Sequence, residues 1–147
     1  MVVTLQPVTE LPELLLLPLV EESLAQGFRA IHRLVDEWQT EKNRFSKPGE
    51  ALFAAWFADH VIGVCGLNQD PYADANQIGR IRRLYVQQAY RRQGVGRQLV
   101  EQIICTAKPN FVELRLRTTD AIAAHFYASL GFHPVNLPNC THSLKLR

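Results

Sequence analysis

The sequence predicts a mixed α/β or α+β domain, because segments with strand periodicity and segments with helix periodicity alternate along the chain. Between residues 111 and 117, apolar and charged side chains alternate strictly, as in a strand with one buried face. Residues 28–38 and 94–108 instead repeat apolar side chains at helical spacing. The chain has 147 residues, a length that commonly forms one hydrophobic core. We therefore expect a single domain spanning residues 1–147.

The part of the chain before residue 90 is predicted to hold four strands and at least one helix. Phe28 and Trp38 bound the apolar stripe of the helix, and the polar residues 39–49 follow as a loop. The turn between the second and third strands is expected at Asp59 and His60. The predicted strands are residues 4–8, 51–57, 61–67 and 78–86, with a loop at 68–76.

The rest of the chain is predicted to alternate helix and strand. The helix at 94–108 has to stop before Pro109. Asp120 suits the N-cap of a second helix, and Gly131 stands where a glycine often ends one. The inner face of that helix would consist of Ala123, Phe126, Tyr127 and Leu130. The predicted strands are residues 111–117 and 141–146.

The charge is unevenly distributed, although it sums to only +2. Residues 1–77 carry a net charge of −6, residues 78–117 carry +7 and residues 118–147 carry +1. A total of +2 does not suit a protein that coats nucleic acid with its whole surface. The basic segment instead indicates a local anion site.

Cysteine, histidine and leucine patterns favour a cytoplasmic protein without a metal site or a membrane segment. The three cysteines are far apart and form no CxxC pair, which argues against a disulfide framework and a zinc site. Cys140 could meet His133 and His142 at a metal, but no metal-ligand spacing supports such a site. Residues 11–20 are apolar, yet a membrane span needs about 20 apolar residues, so we assign them to a soluble core.

The most informative segment is residues 80–97, where an apolar strand leads through a basic loop to the glycines of a helix start. A helix N-terminus leaves backbone N–H groups unpaired and carries partial positive charge, and glycines let a ligand approach the main chain. No Lys-Ser or Lys-Thr follows Gly96, which excludes a Walker P-loop, and Leu99 replaces the third glycine of GxGxxG. The segment therefore predicts a different kind of pyrophosphate site.

Two short motifs stand out: Arg-Arg-Gln-Gly-Val-Gly at residues 91–96, and a Tyr-x-x-x-Gly-Phe segment at residues 127–132. They resemble the (Q/R)xxGx(G/A) acetyl-CoA motif and the YxxxGF segment of the GNAT superfamily of N-acetyltransferases. The resemblance covers residues 61–135. It implies a GNAT-type acyl-CoA N-acyltransferase fold, with a mixed central sheet splayed between two parallel strands and flanked by helices. The pantetheine arm of acetyl-CoA would insert between the strands at 78–86 and 111–117.

The resemblance also implies residue roles. A bulge at Arg82 and Arg83 would open the cleft, and it would explain why apolar alternation breaks there. The Leu84 N–H would polarise the thioester carbonyl, and Tyr127 would act as general acid to the departing thiolate. Asp120 would contact the cofactor arm or simply cap its helix. The residues expected to hold acetyl-CoA are Leu84, Tyr85, Val86, Arg91, Arg92, Gln93, Gly94, Val95, Gly96, Arg97 and Asp120.

No general base can be assigned from the sequence. The strand positions at which many relatives place a glutamate hold Arg80 and Arg115, and neither can accept a proton. The remaining candidates are Glu113, Asp70, Tyr72, Asp74 and water.

The same arginines suggest what the acceptor looks like. If Arg80, Arg115 or Arg117 lines the acceptor cleft, the acceptor carries a carboxylate or phosphate. Equally, these arginines could balance the charge of the cofactor or lie in solvent. Trp38 is a candidate for the far wall of the acceptor site, together with Arg44 and Phe45, or else belongs to the core.

Three functions compete at this point. The leading one is transfer of an acetyl group from acetyl-CoA to a primary amine of a small molecule or protein. The second is a non-catalytic acyl-CoA sensor on the same fold. A nucleic-acid binder is the weakest, because the arginines cluster at one helix start rather than along a face with aromatic residues. We expect acetyl-CoA and an amine acceptor as partners, no metal, no nucleic acid, no membrane and a possible homodimer.

Overall fold

The computed structural model describes residues 1–75 and 77–147 and contains a seven-stranded sheet in the order β1-β2-β3-β4-β5-β7-β6. The strands are β1 (Thr4–Pro7), β2 (Ala51–Phe57), β3 (His60–Gln69), β4 (Ile78–Val86), β5 (Glu113–Leu116), β6 (His133–Leu137) and β7 (Cys140–Lys145). The helices are α1 (Glu13–Ala25), α2 (Ala30–Gln39), α3 (Val95–Ala107) and α4 (Ala121–Ser129), with a 3₁₀ turn at Gln88–Tyr90. The predicted mixed fold is confirmed.

The sheet splays open between β4 and β5, the parallel pair at its centre. Pairing joins residues 78–80 of β4 to residues 113–115 of β5, whereas β4 continues to Val86. From Ile81 onward, the edge of β4 that faces β5 therefore lacks a strand partner among the described residues. The splayed parallel strands that the resemblance implies are present.

A bulge in β4 widens this opening. Between Val64 and Gly66 of β3, the facing strand contains one extra residue. Arg83 takes up the irregularity with φ 63°, a left-handed conformation that is uncommon outside glycine. Because of the extra residue, Ile81 and Leu84 both pack against the same core. The bulge predicted from the broken alternation is confirmed.

Two hydrophobic cores lie on opposite faces of the sheet. Helices α1 and α2 cover one face, where Leu16, Ile31 and Leu34 are almost fully buried. Helix α3 covers the other face with Leu99 and Ile103, and α4 packs at its edge. A molecule that threads the gap between β4 and β5 therefore reaches both faces.

Helix α1 was not predicted, because Pro12 and Pro18 read as breaks in an apolar segment. Pro12 stands just before the helix, where proline is tolerated, and Pro18 lies inside it at the cost of one backbone hydrogen bond. Leu16 and Leu19 are buried, but Leu14 and other leucines of the segment are exposed, so only one face belongs to the core. Within residues 1–75 and 77–147, no helix has the length and apolar character needed to cross a membrane.

Several predicted boundaries need correction. Phe28 precedes α2 and is exposed, and the hairpin turn is at Ala58 and Asp59, one residue earlier than predicted. Strand β6 was missed because its Pro134 argues against a strand, yet β6 is an edge strand, where proline is tolerated. Of the predicted loop at 68–76, Asn76 lies outside the described residues.

Candidate active site

The glycine-led start of α3 forms a concave cluster of backbone donors. Gly94 is the N-cap residue with φ 85°, and Arg92 also has a positive φ, 63°. The carbonyl of Gly94 accepts from Gln98 N at 3.0 Å, whereas the N–H groups of residues 94–97 find no backbone acceptor in the described chain. Unpaired N–H groups at a helix start attract anions. Residues 92–97 are called the cradle below.

The cradle packs on the hydrophobic core at Val95 and faces open space at Gly94. Val95 is buried in the core under α3. A Cβ added at Gly94 would meet no atom within 4 Å, and one at Gly96 would meet the Phe126 ring at an ordinary 3.5 Å. The space beside Gly94 is therefore free for a ligand such as the pyrophosphate of acetyl-CoA, whereas Phe126 already lies at contact distance beside Gly96.

Arg91 fixes the loop that precedes the cradle. Its Nε donates to the Val86 carbonyl at 2.8 Å, and its Nη2 donates to Gln26 Oε1 at 3.2 Å. The guanidinium also lies 5.2 Å from the centre of the Tyr85 ring. Arg91 therefore already binds the carbonyl of Val86, one of the residues that the resemblance assigns to acetyl-CoA, and leaves the Val86 N–H for a ligand.

The other polar side chains of the cradle differ in the contacts that they make with the rest of the protein. Arg97 contacts Glu101 at 3.4 Å and Ser129 Oγ at 3.3 Å, so it ties α3 to α4. Arg92 and Gln93 are exposed, and neither side chain forms a hydrogen bond with a described residue. Arg92 is therefore the arginine of the cradle that can reach a phosphate without breaking a contact.

Helix α1 anchors β4 and the loop after it. Glu22 Oε2 accepts hydrogen bonds from the Tyr85 hydroxyl at 2.5 Å and from Gln88 N at 2.9 Å. Burial, together with the neighbouring Glu22 carboxylate, raises the pKa of Tyr85. The Tyr85 side chain thus faces α1 rather than the cleft. Nothing in the sequence indicates this anchor, because it depends on α1, which the sequence patterns do not predict.

Tyr127 lies in the hydrophobic core on the α3 face of the sheet. It is 7% exposed and packs between the rings of Phe126 and Phe132, at centroid distances of 5.2 and 5.6 Å. Its hydroxyl forms no hydrogen bond with a described residue. Burial, and to a smaller degree the Cys65 thiol, raises the pKa of Tyr127. The phenol is therefore protonated at neutral pH and can donate a hydrogen bond.

The YxxxGF segment has a structural reason for its spacing. Gly131 has φ 97°, and Phe132 N donates to the Tyr127 carbonyl at 3.1 Å, while Gly131 N donates to Ala128 O at 3.1 Å. These two bonds form a Schellman motif, which needs a left-handed residue after the helix. The motif ends α4 and returns Phe132 onto the Tyr127 ring.

Arg80 is buried on the α1/α2 side of the sheet. Its Nη2 donates to the Asn139 carbonyl at 2.8 Å, and its guanidinium lies 4.8 Å from the centre of the Tyr72 ring. Its Nη1 lies 3.6 Å from Asp70 Oδ2, an ion pair rather than a hydrogen bond. Asp70 is 6% exposed and also accepts from Tyr72 N, so it is poorly placed to take a proton from a substrate.

Glu113 and Arg115 form an ion pair. Arg115 Nε donates to Glu113 Oε2 at 2.6 Å, and the same carboxylate accepts from Ser143 Oγ at 2.8 Å and Lys145 Nζ at 2.9 Å. Burial alone would raise the pKa of Glu113, but these three donors lower it to about 2. Such a carboxylate is a weak base. The Nε of Arg115 is already bound to Glu113 and is therefore not free for a substrate. Arg117 is exposed.

Comparison with known proteins agrees with this geometry. The family model described as an acetyltransferase (GNAT) domain matches residues 48–134, which is more than half of the chain. The chain belongs to the GNAT acetyltransferase family. Both the cradle and the YxxxGF segment lie within the matched range.

Solved GNAT structures share the fold over nearly the whole chain. A protein of Exiguobacterium sp. 255-15 described as an acetyltransferase is 31% identical, with 99% of this chain and 94% of that chain covered and a TM-score of 0.89. A GNAT-family acetyltransferase of Staphylococcus aureus Mu50 is 18% identical, with 99% and 100% covered and a TM-score of 0.77. A Salmonella typhimurium protein, 13% identical with 100% and 95% covered and a TM-score of 0.72, contains acetyl-CoA.

Three residues of this GNAT protein that were candidates for the acceptor wall lie away from the open cleft. Trp38 is 9% exposed, within the α1/α2 core. With Arg44 and Phe45 it lines a cavity of about 420 Å³, whose other lining residues come from positions 8–10 and 46. Neither β4 nor β5 contributes to that lining, so the cavity is distinct from the splayed cleft.

Asp120 caps α4 as predicted. Its Oδ2 accepts from Ala123 N at 3.1 Å, the usual N-cap contact. A further contact with the cofactor stays a prediction.

In the last strand, Cys140 Sγ donates to the His142 carbonyl at 3.3 Å. Among the described residues, no three His, Cys, Asp or Glu side chains are grouped as metal ligands.

The Glu113 cluster predicts an acid-dependent loss of stability. A carboxylate whose folded pKa is lowered from 4.5 to about 2 stabilises the fold above pH 4.5, and that contribution disappears as the pH falls to about 2. At pH 7 we expect Glu113→Gln to lower the free energy of unfolding by about 3 kcal/mol. Thermal denaturation from pH 7 to pH 2 should show the two proteins converging in acid.

Glu101→Gln is the matched control. Glu101 is exposed and pairs only with Arg97 across one helical turn, an interaction usually worth less than about 1 kcal/mol. A melting temperature for Glu113→Gln that stays parallel to the wild type at every pH would contradict the assignment.

Proposed function

We propose that this protein transfers the acetyl group of acetyl-CoA directly to a primary amine of a small molecule or protein. The observation that carries the proposal is the unpaired edge of β4, which leads straight into the open cradle. A thioester arm hydrogen-bonded along that edge would have its pyrophosphate at residues 92–97. Its sulfur would then come close to Tyr127.

Acetyl-CoA supplies an activated acetyl group, and the protein residues orient and stabilise the reaction. The Leu84 N–H, on the unpaired edge of β4, would donate to the carbonyl oxygen as that oxygen gains negative charge. The amine nitrogen forms a bond to the carbonyl carbon, the carbon–sulfur bond breaks, and the sulfur leaves with its electron pair. Tyr127 would give its proton to that sulfur. Burial raises the pKa of Tyr127, and it would raise that of a thiol in the same dry cleft as well.

The acceptor amine would enter as the free base, and the proton that its nitrogen loses on forming the amide would return through water to the Tyr127 phenolate. Glu113 and Asp70 are both held by cationic side chains, and Tyr72 lies against Arg80. We therefore expect kcat/KM to rise with pH until the pKa of the acceptor amine is reached. Two acceptors with different amine pKa values should give two different inflection points. An inflection at one pH for every acceptor would instead indicate a base supplied by the protein.

Acetyl-CoA binding and acetyl transfer are tested separately. Acetyl-CoA should raise the melting temperature of the protein, as any ligand of the folded state does. Release of free thiol should then depend on adding an amine from a panel of amino acids, polyamines, aminoglycosides and lysine peptides. Stabilisation by acetyl-CoA with no thiol release for any amine would favour the alternative, a non-catalytic acyl-CoA sensor.

A cytoplasmic location and a homodimer stay predictions. Light scattering on the eluting protein measures the mass in solution and tests the second one.

A further inference from the structure

Arg82 lies on the face of β4 that α1 and α2 cover. It is paired with Gly66 of β3, and a Cβ on Gly66 would lie 2.3 Å from the Phe45 ring, which belongs to the core under α1 and α2. Paired residues share a face, so Arg82 points to that side. Arg80, two positions earlier on the strand, points to the same side.

The neighbouring cations have partners, and Arg82 has none among the described residues. Arg83 pairs with Glu37 at 2.8 Å. The other pairs are Arg80 with Asp70, Arg115 with Glu113 and Lys145 with Glu113. No described residue forms an ion pair or a hydrogen bond with the half-buried Arg82 guanidinium. Burial, and then the nearby Arg83, lower the pKa of Arg82, while the Glu37 carboxylate, which is paired with Arg83, partly offsets this lowering.

A second unsatisfied donor lies two positions away on the same face. Arg80 Nη1 is fully buried and has no hydrogen-bond partner among the described residues, since Asp70 Oδ2 is 3.6 Å away. Buried donors without acceptors cost free energy, and guanidinium groups bind carboxylates and phosphates well. Arg82 thus presents a positive charge without an ion-pair partner among the described residues, and Arg80 adds a donor without an acceptor on the same face of β4.

We propose that Arg82, together with Arg80, binds a carboxylate or phosphate group of the amine acceptor. The inference rests on the proposed acetyl transfer and extends it to a substrate class, amines that also carry an anionic group. Arg82 is two residues from Leu84, whose N–H would hold the thioester. An anion bound at Arg82 would therefore hold its own amine near the acetyl carbonyl, on the face opposite Tyr127.

The binding experiment avoids turnover. Protein saturated with CoA, which carries no acetyl group, is titrated with amino acids and their carboxamides, and with phosphoethanolamine and ethanolamine. We expect the tightest ligands to be anionic, at least tenfold tighter than their neutral counterparts. The carboxylate and phosphate series distinguish the two sources of the charge. A panel in which the neutral member of each pair binds equally well overturns the proposal.

Three variants test whether Arg82 is responsible for the tighter binding of anionic ligands. Arg82→Met should weaken the anionic ligands about tenfold or more, leave the melting temperature of the ligand-free protein unchanged or higher, and leave the KM for acetyl-CoA unchanged. Arg82→Lys should keep part of the affinity. Arg33→Met, at an exposed position of α2, should change none of these quantities. Weaker acetyl-CoA binding in Arg82→Met with unchanged acceptor affinity would assign Arg82 to the cofactor and overturn the proposal.

The proposed function can fail separately. Arg82-dependent binding of anionic amines with no thiol release for any of them would contradict acetyl transfer and leave the anion site in place. Thiol release that is faster with neutral than with anionic amines would support acetyl transfer and contradict the anion site.

Discussion

Tyr127→Phe should lower kcat for acetyl transfer about a hundredfold, with little change in the KM for acetyl-CoA. The substitution removes one hydroxyl and keeps the ring that packs between Phe126 and Phe132. That hydroxyl forms no hydrogen bond with a described residue, so the free energy of unfolding should not fall. Steady-state kinetics and a melting curve of the same preparation test both statements.

Tyr90→Phe is the control for removing a hydroxyl near the cofactor. Tyr90 packs on Phe57 at a centroid distance of 5.8 Å and lies in the 3₁₀ turn between β4 and the cradle. We expect its kcat to remain that of the wild type. If both variants lose the same activity, or if neither does, Tyr127 is not the group that protonates the leaving sulfur.

Gly94→Ala should raise the KM for acetyl-CoA about tenfold while changing kcat much less. Alanine at φ 85° strains the backbone by about 1 kcal/mol, and its Cβ would occupy the open space in front of the cradle. A ligand phosphate would then be held further from the N–H groups of residues 94–97. Isothermal titration with CoA measures the loss without turnover.

The same chain offers a control with the same backbone strain. Gly27 has φ 84°, and a Cβ there would also meet no atom within 4 Å. Gly27→Ala should therefore lower the melting temperature about as much as Gly94→Ala, but leave CoA affinity unchanged. Equal CoA affinities in the two variants would mean that the cradle does not hold the cofactor.

The elements that carry the cofactor motifs were predictable, because each motif has a local physical reason. Gly94 starts a helix in a left-handed conformation, and Gly131 ends one in a Schellman motif. The bulge at Arg83 left a visible break in the alternation of β4. Helix α1 was not predictable in the same way, since its prolines are tolerated only because of where they fall in the helix.

Residue types alone do not predict which arginine is free to bind an acceptor. Arg80 and Arg115 stand where carboxylates are common, but which arginine is free depends on contacts between residues distant in sequence. Arg115 is held by Glu113, and Arg80 by Asp70 and Asn139. Arg82 lies two residues after Arg80 and on the same face of β4, but its lack of an ion-pair partner among the described residues is visible only in the structure.

Mass spectrometry of the acceptor, run beside free-thiol detection, is the most direct test of acetyl transfer. The protein is incubated with acetyl-CoA and the best amine of the panel. We predict that acetylated amine and free CoA thiol form in equal amounts, and that both decrease together in Tyr127→Phe. Thiol released without acetylated amine would mean hydrolysis, and stable binding of acetyl-CoA without either product would mean that the protein does not catalyse the transfer.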